Sequence, residues 1–284
     1  MWDKVAETFQ HHRLPLFTRR NLTFTSLAAA NTRATYLALM ERLSEHLSST
    51  TRKEGSFRVL KSDLWNEGID SSKGNLSEFT RDLPLSLETF GGDISPKVCR
   101  LANEKRIIGN IVCCDVGCLP FCSKSLDIVL DMSTIDHVKP SAIHRVVKEY
   151  SRILRKGGVL LLAFDTTSIP SKLQRAILRM IAPRRSKLSY PPYHWLINPK
   201  IMRTILKDYY SILSEHSILM ERGILMLLQQ ILSTRVNNAP LRTSLYSWRF
   251  TSTLLQNLRR FELSRWSKYM EVIASQHVFL CART

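Results

Sequence analysis

The sequence predicts an α/β fold built on a parallel sheet, and two features of residues 91–164 predict it. Short apolar runs at residues 111–116, 126–131 and 159–164 recur with helix-like segments between them. Such runs suit strands buried on both faces of a parallel sheet, and their spacing suits strand–helix–strand units. The second feature is acidic. Asp115 and Asp131 stand at or near the ends of two runs, and Asp93 follows Gly91-Gly92. Ligands of open α/β sheets bind just outside the carboxyl ends of the strands. Carboxylates gathered along that edge point to a nucleotide-like ligand.

Taken in order, residues 1–20 read as a short helix and an irregular lead. Residues 21–48 are Ala/Leu-rich and free of Gly and Pro; Leu27, Tyr36, Met40, Leu43 and Leu47 fall near helical spacing, so a helix or helix pair is laid on the core. Residues 57–60 start the sheet, 75–81 supply a short helix and 87–94 the second strand. Ser95-Pro96 is a helix start, a capping serine before a proline at the first helical position. Residues 110–116 and 126–131 are the third and fourth strands. From Pro140 a helix puts Ile143, Val146, Val147 and Tyr150 on one face and Arg155-Lys156 in its last turn, with Gly157-Gly158 to stop it. Residues 159–164 are the fifth strand. Beyond them, 173–181 form a basic amphipathic helix, 189–195 an aromatic loop and 199–207 a helix. Residues 209–219 contain a sixth strand, 223–232 and 251–260 are helical, and 277–282 close the chain as a strand. The division is an N-terminal helical lead, 1–55, and an α/β domain, 56–284. That domain has its core at 56–165 and a lid or substrate region with the closing strands at 166–284.

A chain of 284 residues with 44% hydrophobic and 23% charged residues can bury one large core. Residues 166–284 hold 18 Lys/Arg against 5 Asp/Glu, so +13 of the net +17 lies there. Such a surface attracts nucleic acid, an anionic membrane surface or an acidic substrate, or is merely solvated. No apolar run reaches the roughly 18–20 residues that span a bilayer. Met1-Trp2-Asp3-Lys4 has no signal-peptide character, and the expected location is cytoplasmic. Cys113, Cys114, Cys118 and Cys122 cluster without the CxxC spacing of a zinc site, so no metal site is expected.

These residues carry a resemblance. Residues 57–164 resemble a class I S-adenosylmethionine-dependent methyltransferase, most of all the subgroup acting on small molecules. The likeness rests on Gly92-Asp93-Ile94-Ser95, Cys114-Asp115-Val116-Gly117-Cys118-Leu119-Pro120-Phe121 and Ser125-Leu126-Asp127-Ile128-Val129-Leu130-Asp131. It is completed by Tyr150-Ser151-Arg152-Ile153-Leu154-Arg155-Lys156-Gly157-Gly158-Val159-Leu160, in the family's order and near its spacing. It implies a Rossmann-like, mostly parallel seven-stranded sheet whose last strand is antiparallel, with helices on both faces. S-adenosyl-L-methionine is the implied cofactor.

The resemblance assigns roles by position. Asp93 matches the acid that holds the ribose hydroxyls, as a carboxylate accepts two hydrogen bonds from a cis-diol, with Ile94 beside it. Asp115 and Val116 match the contacts to adenine, and Asp131 marks the strand end where methyl donor and acceptor meet. The alternative for Asp93 and Asp115 is a capping or turn role. One departure stands out: the glycine-rich first loop is replaced by Lys61-Ser62-Asp63-Leu64-Trp65-Asn66-Glu67-Gly68, with Gly68 its single glycine. Asp63, Asn66 and Glu67 offer acceptors for the cofactor's ammonium group, whereas Trp65 has the bulk to fill its space. The loop is therefore a variant cofactor site or the mark of a degenerate domain serving as a binding or scaffold protein.

For the chemistry, Met132-Ser133-Thr134-Ile135-Asp136-His137 follows the fourth strand, where the acceptor would sit. His137 is the candidate base, since its ordinary pKa lies near neutrality, and Asp136 is its neighbour. A loop-stabilising role is open for both. Tyr190, Tyr193 and His194 fall where the family builds its substrate lid, beside Trp195. The expected acceptor is a small molecule. An RNA-directed methyltransferase using the basic C-terminal part is the other enzyme reading, weakened by the lack of an Asn-Pro-Pro-Tyr-type run after the fourth strand.

Overall fold

The computed structural model describes Asp3 and residues 22–49, 55–69, 76–81, 83–169, 172, 173, 176, 194–220 and 249–284. Tyr190, Tyr193 and the helices expected at 173–181 and 223–232 lie wholly or mostly outside these residues. Seven strands are described: β1 (Phe57–Lys61), β2 (Leu87–Asp93), β3 (Asn110–Cys113), β4 (Leu126–Met132), β5 (Leu154–Asp165), β6 (Tyr210–Ile218) and β7 (Gln276–Arg283). They form one sheet in the order β3-β2-β1-β4-β5-β7-β6. β3 through β5 run parallel, and β7 lies antiparallel between β5 and β6. This is the expected sheet with its antiparallel closing strand.

The described α-helices are α1 (Leu22–Ser49), α2 (Trp65–Gly68), α3 (Leu76–Thr80), α4 (Pro96–Glu104), α5 (Ile143–Ile153), α6 (Pro199–Lys207) and α7 (Arg249–Glu262). Alternation along the strands sends each residue to one of two cores. Val59, Ile128, Leu130, Val159, Leu161, Ala163, Val278 and Leu280 face α1 and α4. Leu60, Val129, Leu160, Leu162, Phe164, Phe279 and Cys281 face α5 and α6. In α1, Tyr36, Met40, Leu43 and Leu47 are buried, so the helical lead forms part of the core.

The start of α4 follows from Ser95, whose hydroxyl accepts the Val98 N–H at 3.2 Å, with Pro96 at the first turn. Asp3 adds a second cap there, reaching the Ser95 hydroxyl and the Lys97 N–H.

Two expected boundaries moved. β3 ends at Cys113 rather than 116, because Asp115 begins a turn in which its carboxylate accepts the Gly117 N–H at 2.7 Å. α5 ends at Ile153, so Arg155 and Lys156 belong to β5 and not to a last helical turn. Leu154 is fully buried and pairs with Leu126, which draws the backbone into the sheet. The glycine pair then shapes an irregularity in the strand instead of a helix stop. Gly157 takes φ +72°, and a Cβ on Gly158 would lie 2.9 Å from the Arg155 carbonyl.

Gly68 has a packing role. A Cβ there would lie 2.9 Å from the Val98 carbonyl, so α2 approaches α4 only through a bare backbone. Gly68→Ala should lower stability by about 1–3 kcal/mol, as overpacking does, read as an earlier urea midpoint at unchanged slope.

Candidate functional site

Five parallel strands end on one edge of the sheet, and the chain reverses its direction of strand addition between β1 and β4. That switch point opens the crevice where α/β sheets take ligands. Four loops meet there: those after β1, β2, β3 and β4.

Asp93 closes β2, half-buried. Its Oδ1 accepts the Ser95 N–H at 2.8 Å and its Oδ2 the Leu64 N–H at 3.0 Å. Among the described residues each oxygen takes one hydrogen bond, which leaves both with further acceptor capacity. Burial, only partly offset by those two N–H groups, raises its pKa to about 6. Ile94, next in the chain, is a large apolar side chain left 53% exposed at the mouth of this crevice. Asp115 is exposed and Val116 half-buried in the loop after β3.

The loop after β1 is organised by a buried lysine. Lys61 Nζ donates to Glu67 Oε2 at 3.0 Å, to Asp63 Oδ1 at 3.1 Å and to the Asp63 carbonyl at 2.7 Å. Glu67 is fully buried and its other oxygen accepts the Leu76 N–H at 2.8 Å, the first residue of α3. Both oxygens of Glu67, expected from sequence to be acceptors for a ligand, are thus engaged within the fold. Gly68 is likewise committed to α4. Asp63 stays half-buried, and the Thr134 hydroxyl donates to its Oδ2 at 3.4 Å. Asn66 is half-buried on α2. Trp65, the residue with bulk to fill the crevice, packs instead against the α1-side core.

Asp131 also departs from expectation. It is fully buried; Oδ1 accepts the Thr134 and Ile135 N–H groups at 2.8 and 3.1 Å, and Oδ2 accepts the Tyr150 hydroxyl at 2.9 Å. Burial lifts its pKa to about 7. It anchors the loop after β4.

What that loop presents is a histidine cluster. Ser133 adopts φ 82°, uncommon for a side chain with a Cβ, and its hydroxyl donates to Asp136 Oδ2 at 2.7 Å. The same oxygen accepts the Asp165 N–H at 2.9 Å from the end of β5. Asp136 is fully buried, while His137 is half-buried with Nε2 at 3.7 Å from Asp136 Oδ1. His194 arrives from a distant segment held by backbone bonds. The Trp195 N–H donates to the Asp136 carbonyl at 2.6 Å and the Ile197 N–H to the Asp165 carbonyl at 3.0 Å. Its Nε2 lies 3.2 Å from Asp165 Oδ2 and 3.7 Å from Asp136 Oδ2, and the two imidazole rings are 5.0 Å apart. Burial works against a charged His194, but the hydrogen bonds of Asp136 and Asp165 outweigh it and lift its pKa to about 9. Asp165 is the participant that sequence reasoning missed. It ends the fifth apolar run, the one local signal that marked Asp131 as well.

Residues 69–162 match a protein family described as "Methyltransferase domain". No curated protein matches the chain significantly. Among solved structures, a geranyl diphosphate methyltransferase in complex with S-adenosylmethionine is similar at 13% identity and a TM-score of 0.51, over 87% of this chain and 85% of that one. Geranyl diphosphate C-methyltransferase from Streptomyces coelicolor A3(2), in complex with Mg2+, geranyl diphosphate and S-adenosyl-L-homocysteine, is similar at 12% identity and 0.50, over 86% and 79%. A protein of Pyrococcus horikoshii OT3 is similar at 16% identity and 0.50, over 97% and 99%. At such identities the likeness establishes the fold.

Proposed function

We propose that this chain, which has the class I S-adenosylmethionine-dependent methyltransferase fold and a methyltransferase-domain match at its centre, binds S-adenosylmethionine and methylates a small-molecule acceptor. The observation that carries the reading is Asp93 at the carboxyl end of β2, with acceptor capacity on both oxygens, beside exposed Ile94 and at the switch point of the sheet. These residues fit the adenosine half of the cofactor: Asp93 for the ribose hydroxyls, Ile94 for a face of the base, Asp115 and Val116 for its edge. Asp63, with Asn66 nearby, is the acceptor left for the ammonium group once Glu67 is removed from the set. When bound, the cofactor supplies an electrophilic methyl group on a sulfonium.

On the acceptor side, His137 takes the proton of a bound hydroxyl or amine at its imidazole, and Asp136 holds the loop that presents it. His194, with Tyr190 and Tyr193 proposed alongside, lines the approach. The surplus of Lys and Arg after residue 165 favours an acceptor carrying negative charge. Geranyl diphosphate, bound by one enzyme of the same fold, is of that kind. A cytoplasmic location suits six cysteines that are all free thiols. No helix among the described residues is long and apolar enough to cross a membrane.

Calorimetric titration with S-adenosylmethionine and S-adenosylhomocysteine tests the reading, and micromolar binding is expected. Absence of binding by a chain with intact circular dichroism would leave the scaffold reading in its place. Once an acceptor is found, His137→Ala should lower kcat by about 10²–10⁴-fold with cofactor Kd unchanged, the signature of a lost proton acceptor.

A further inference from the structure

We infer that Asp136, His137 and His194 bind a divalent cation of the Zn2+ class at the carboxyl ends of β4 and β5. One donor atom from each of the three lies within 4.8 Å of the others. Two imidazoles with a carboxylate are the donor set that zinc and its neighbours among the transition metals prefer, whereas Mg2+ and Ca2+ prefer oxygen alone.

The independent sign is on Asp136. Its side chain is fully buried, and Oδ1 has no hydrogen-bond partner among the described residues. A buried carboxylate oxygen left in that state is costly unless something answers its charge. A proton on His194 answers Asp136 Oδ2 and Asp165 Oδ2, at 3.7 and 3.2 Å, but leaves Oδ1 without a hydrogen bond. A cation between Oδ1 and His137 Nε2, now 3.7 Å apart, answers it directly. In a tetrahedral site with bonds of 2.0–2.1 Å, neighbouring donors are roughly 3.3 Å apart, so the Asp136–His137 pair at 3.7 Å needs to close by a few tenths of an ångström, and the remaining separations, all within 4.8 Å, by up to about 1.5 Å. The outer shell is in place: the Ser133 hydroxyl and Asp165 N–H fix the other oxygen of Asp136, and Gln276 Nε2 donates to Asp165 Oδ1 at 2.9 Å.

Three protein donors leave a position for an acceptor that binds through oxygen, whose hydroxyl proton the cation would acidify. This consequence for the acceptor, though not the cation site itself, rests on the methyl-transfer reading. With the cation bound, His137 is a ligand, and the loss of the acceptor's proton that is assigned to it above would be served by the cation, so that His137→Ala lowers kcat in either case.

The test is titration of the metal-stripped full chain with Co2+ and with Zn2+, followed by calorimetry and by the visible absorption of bound Co2+. One equivalent should bind, His137→Ala and His194→Ala should each weaken binding at least tenfold, and excess Mg2+ should not compete. A Cys113→Ser/Cys118→Ser/Cys122→Ser variant, which removes the three exposed thiols, should bind as the parent does. The inference is overturned if no stoichiometric Co2+ binds, or if binding survives in the double-histidine variant and disappears in the cysteine variant. S-adenosylmethionine titrated into the same preparation separates the two readings. Cofactor binding without cation sinks the cation site alone, and cation binding without cofactor sinks methyl transfer alone.

Discussion

Asp93→Ala is expected to weaken S-adenosylmethionine binding by roughly a hundredfold or more while the chain stays folded. Two ribose hydroxyls donating to an ionised carboxylate are worth about 1.5–3 kcal/mol each, and every 1.4 kcal/mol is tenfold in affinity. The substitution also removes the acceptor for the Leu64 and Ser95 N–H groups, which ties the loops after β1 and β2 together. Asp93→Asn separates the two effects, since it keeps a side-chain acceptor and loses the charge. The pH profile adds an independent readout. Asp93 titrates at about 6, raised by burial from 3.8, and the ribose hydroxyls select its ionised form. Affinity should therefore climb as pH rises through about 6 and level off above it. Stability should move the opposite way. The folded chain holds this proton more tightly than the unfolded one, so the contribution is fully present below 3.8 and declines as pH rises through about 6. In Asp93→Asn the affinity slope should vanish and the stability slope should lose Asp93's share, the rest remaining with Asp131, whose pKa lies at about 7. Affinity unchanged in Asp93→Ala would remove the adenosine site from this edge of the sheet.

Lys61→Met should cost about 3–5 kcal/mol of stability, the usual result of stranding one partner of a buried ion pair. Lys61 and Glu67 are both fully buried, and Lys61 is the donor to Glu67 and to Asp63. Burial opposes the charge on Lys61, yet the two carboxylates outweigh it and hold the ammonium group above its usual pKa. Removing that charge leaves Glu67 buried with, among the described residues, the Leu76 N–H alone. Denaturant unfolding of Lys61→Met, Glu67→Gln and the double variant forms a cycle that tests the coupling. The double variant should be more stable than the sum of the single losses predicts, by at least 1 kcal/mol, because residues of one network do not add. Additive losses would show that Lys61 and Glu67 act apart. The cycle also bears on the cofactor loop, since Lys61, Asp63 and Glu67 stand where a glycine-rich turn is expected. A stable charged hub there is how this chain shapes the loop without glycines.

Most of the sheet was legible because burial on both faces writes itself into composition. Val59-Leu60, Ile128-Val129-Leu130 and the run from Val159 to Phe164 are apolar at every position since each neighbour faces a different core. Ser95-Pro96 was legible because a cap is a local device. The end of α5 was not. Arg155-Lys156-Gly157-Gly158 carries every local sign of a helix terminus, and only the pairing of Leu154 with Leu126 overrides it.

The site divides in the same way. Residue type and position along the strands placed Asp93 and Asp115 at the carboxyl edge of the sheet, but could not show which carboxylates would turn inward. Asp131 and Glu67 resemble site acids in sequence and are sealed by Tyr150, Thr134, Ile135, Lys61 and Leu76 in the fold. The meeting of His194 with Asp136, His137 and Asp165 was invisible for a related reason. It depends on backbone bonds from Trp195 and Ile197 to residues far away in the chain. The sequence by itself determined the strands and their order of motifs, because periodicity and composition are set by which face each residue buries. The tertiary structure decided which charges face the crevice and which histidines share a carboxylate, because those outcomes depend on partners that only folding brings within hydrogen-bond reach.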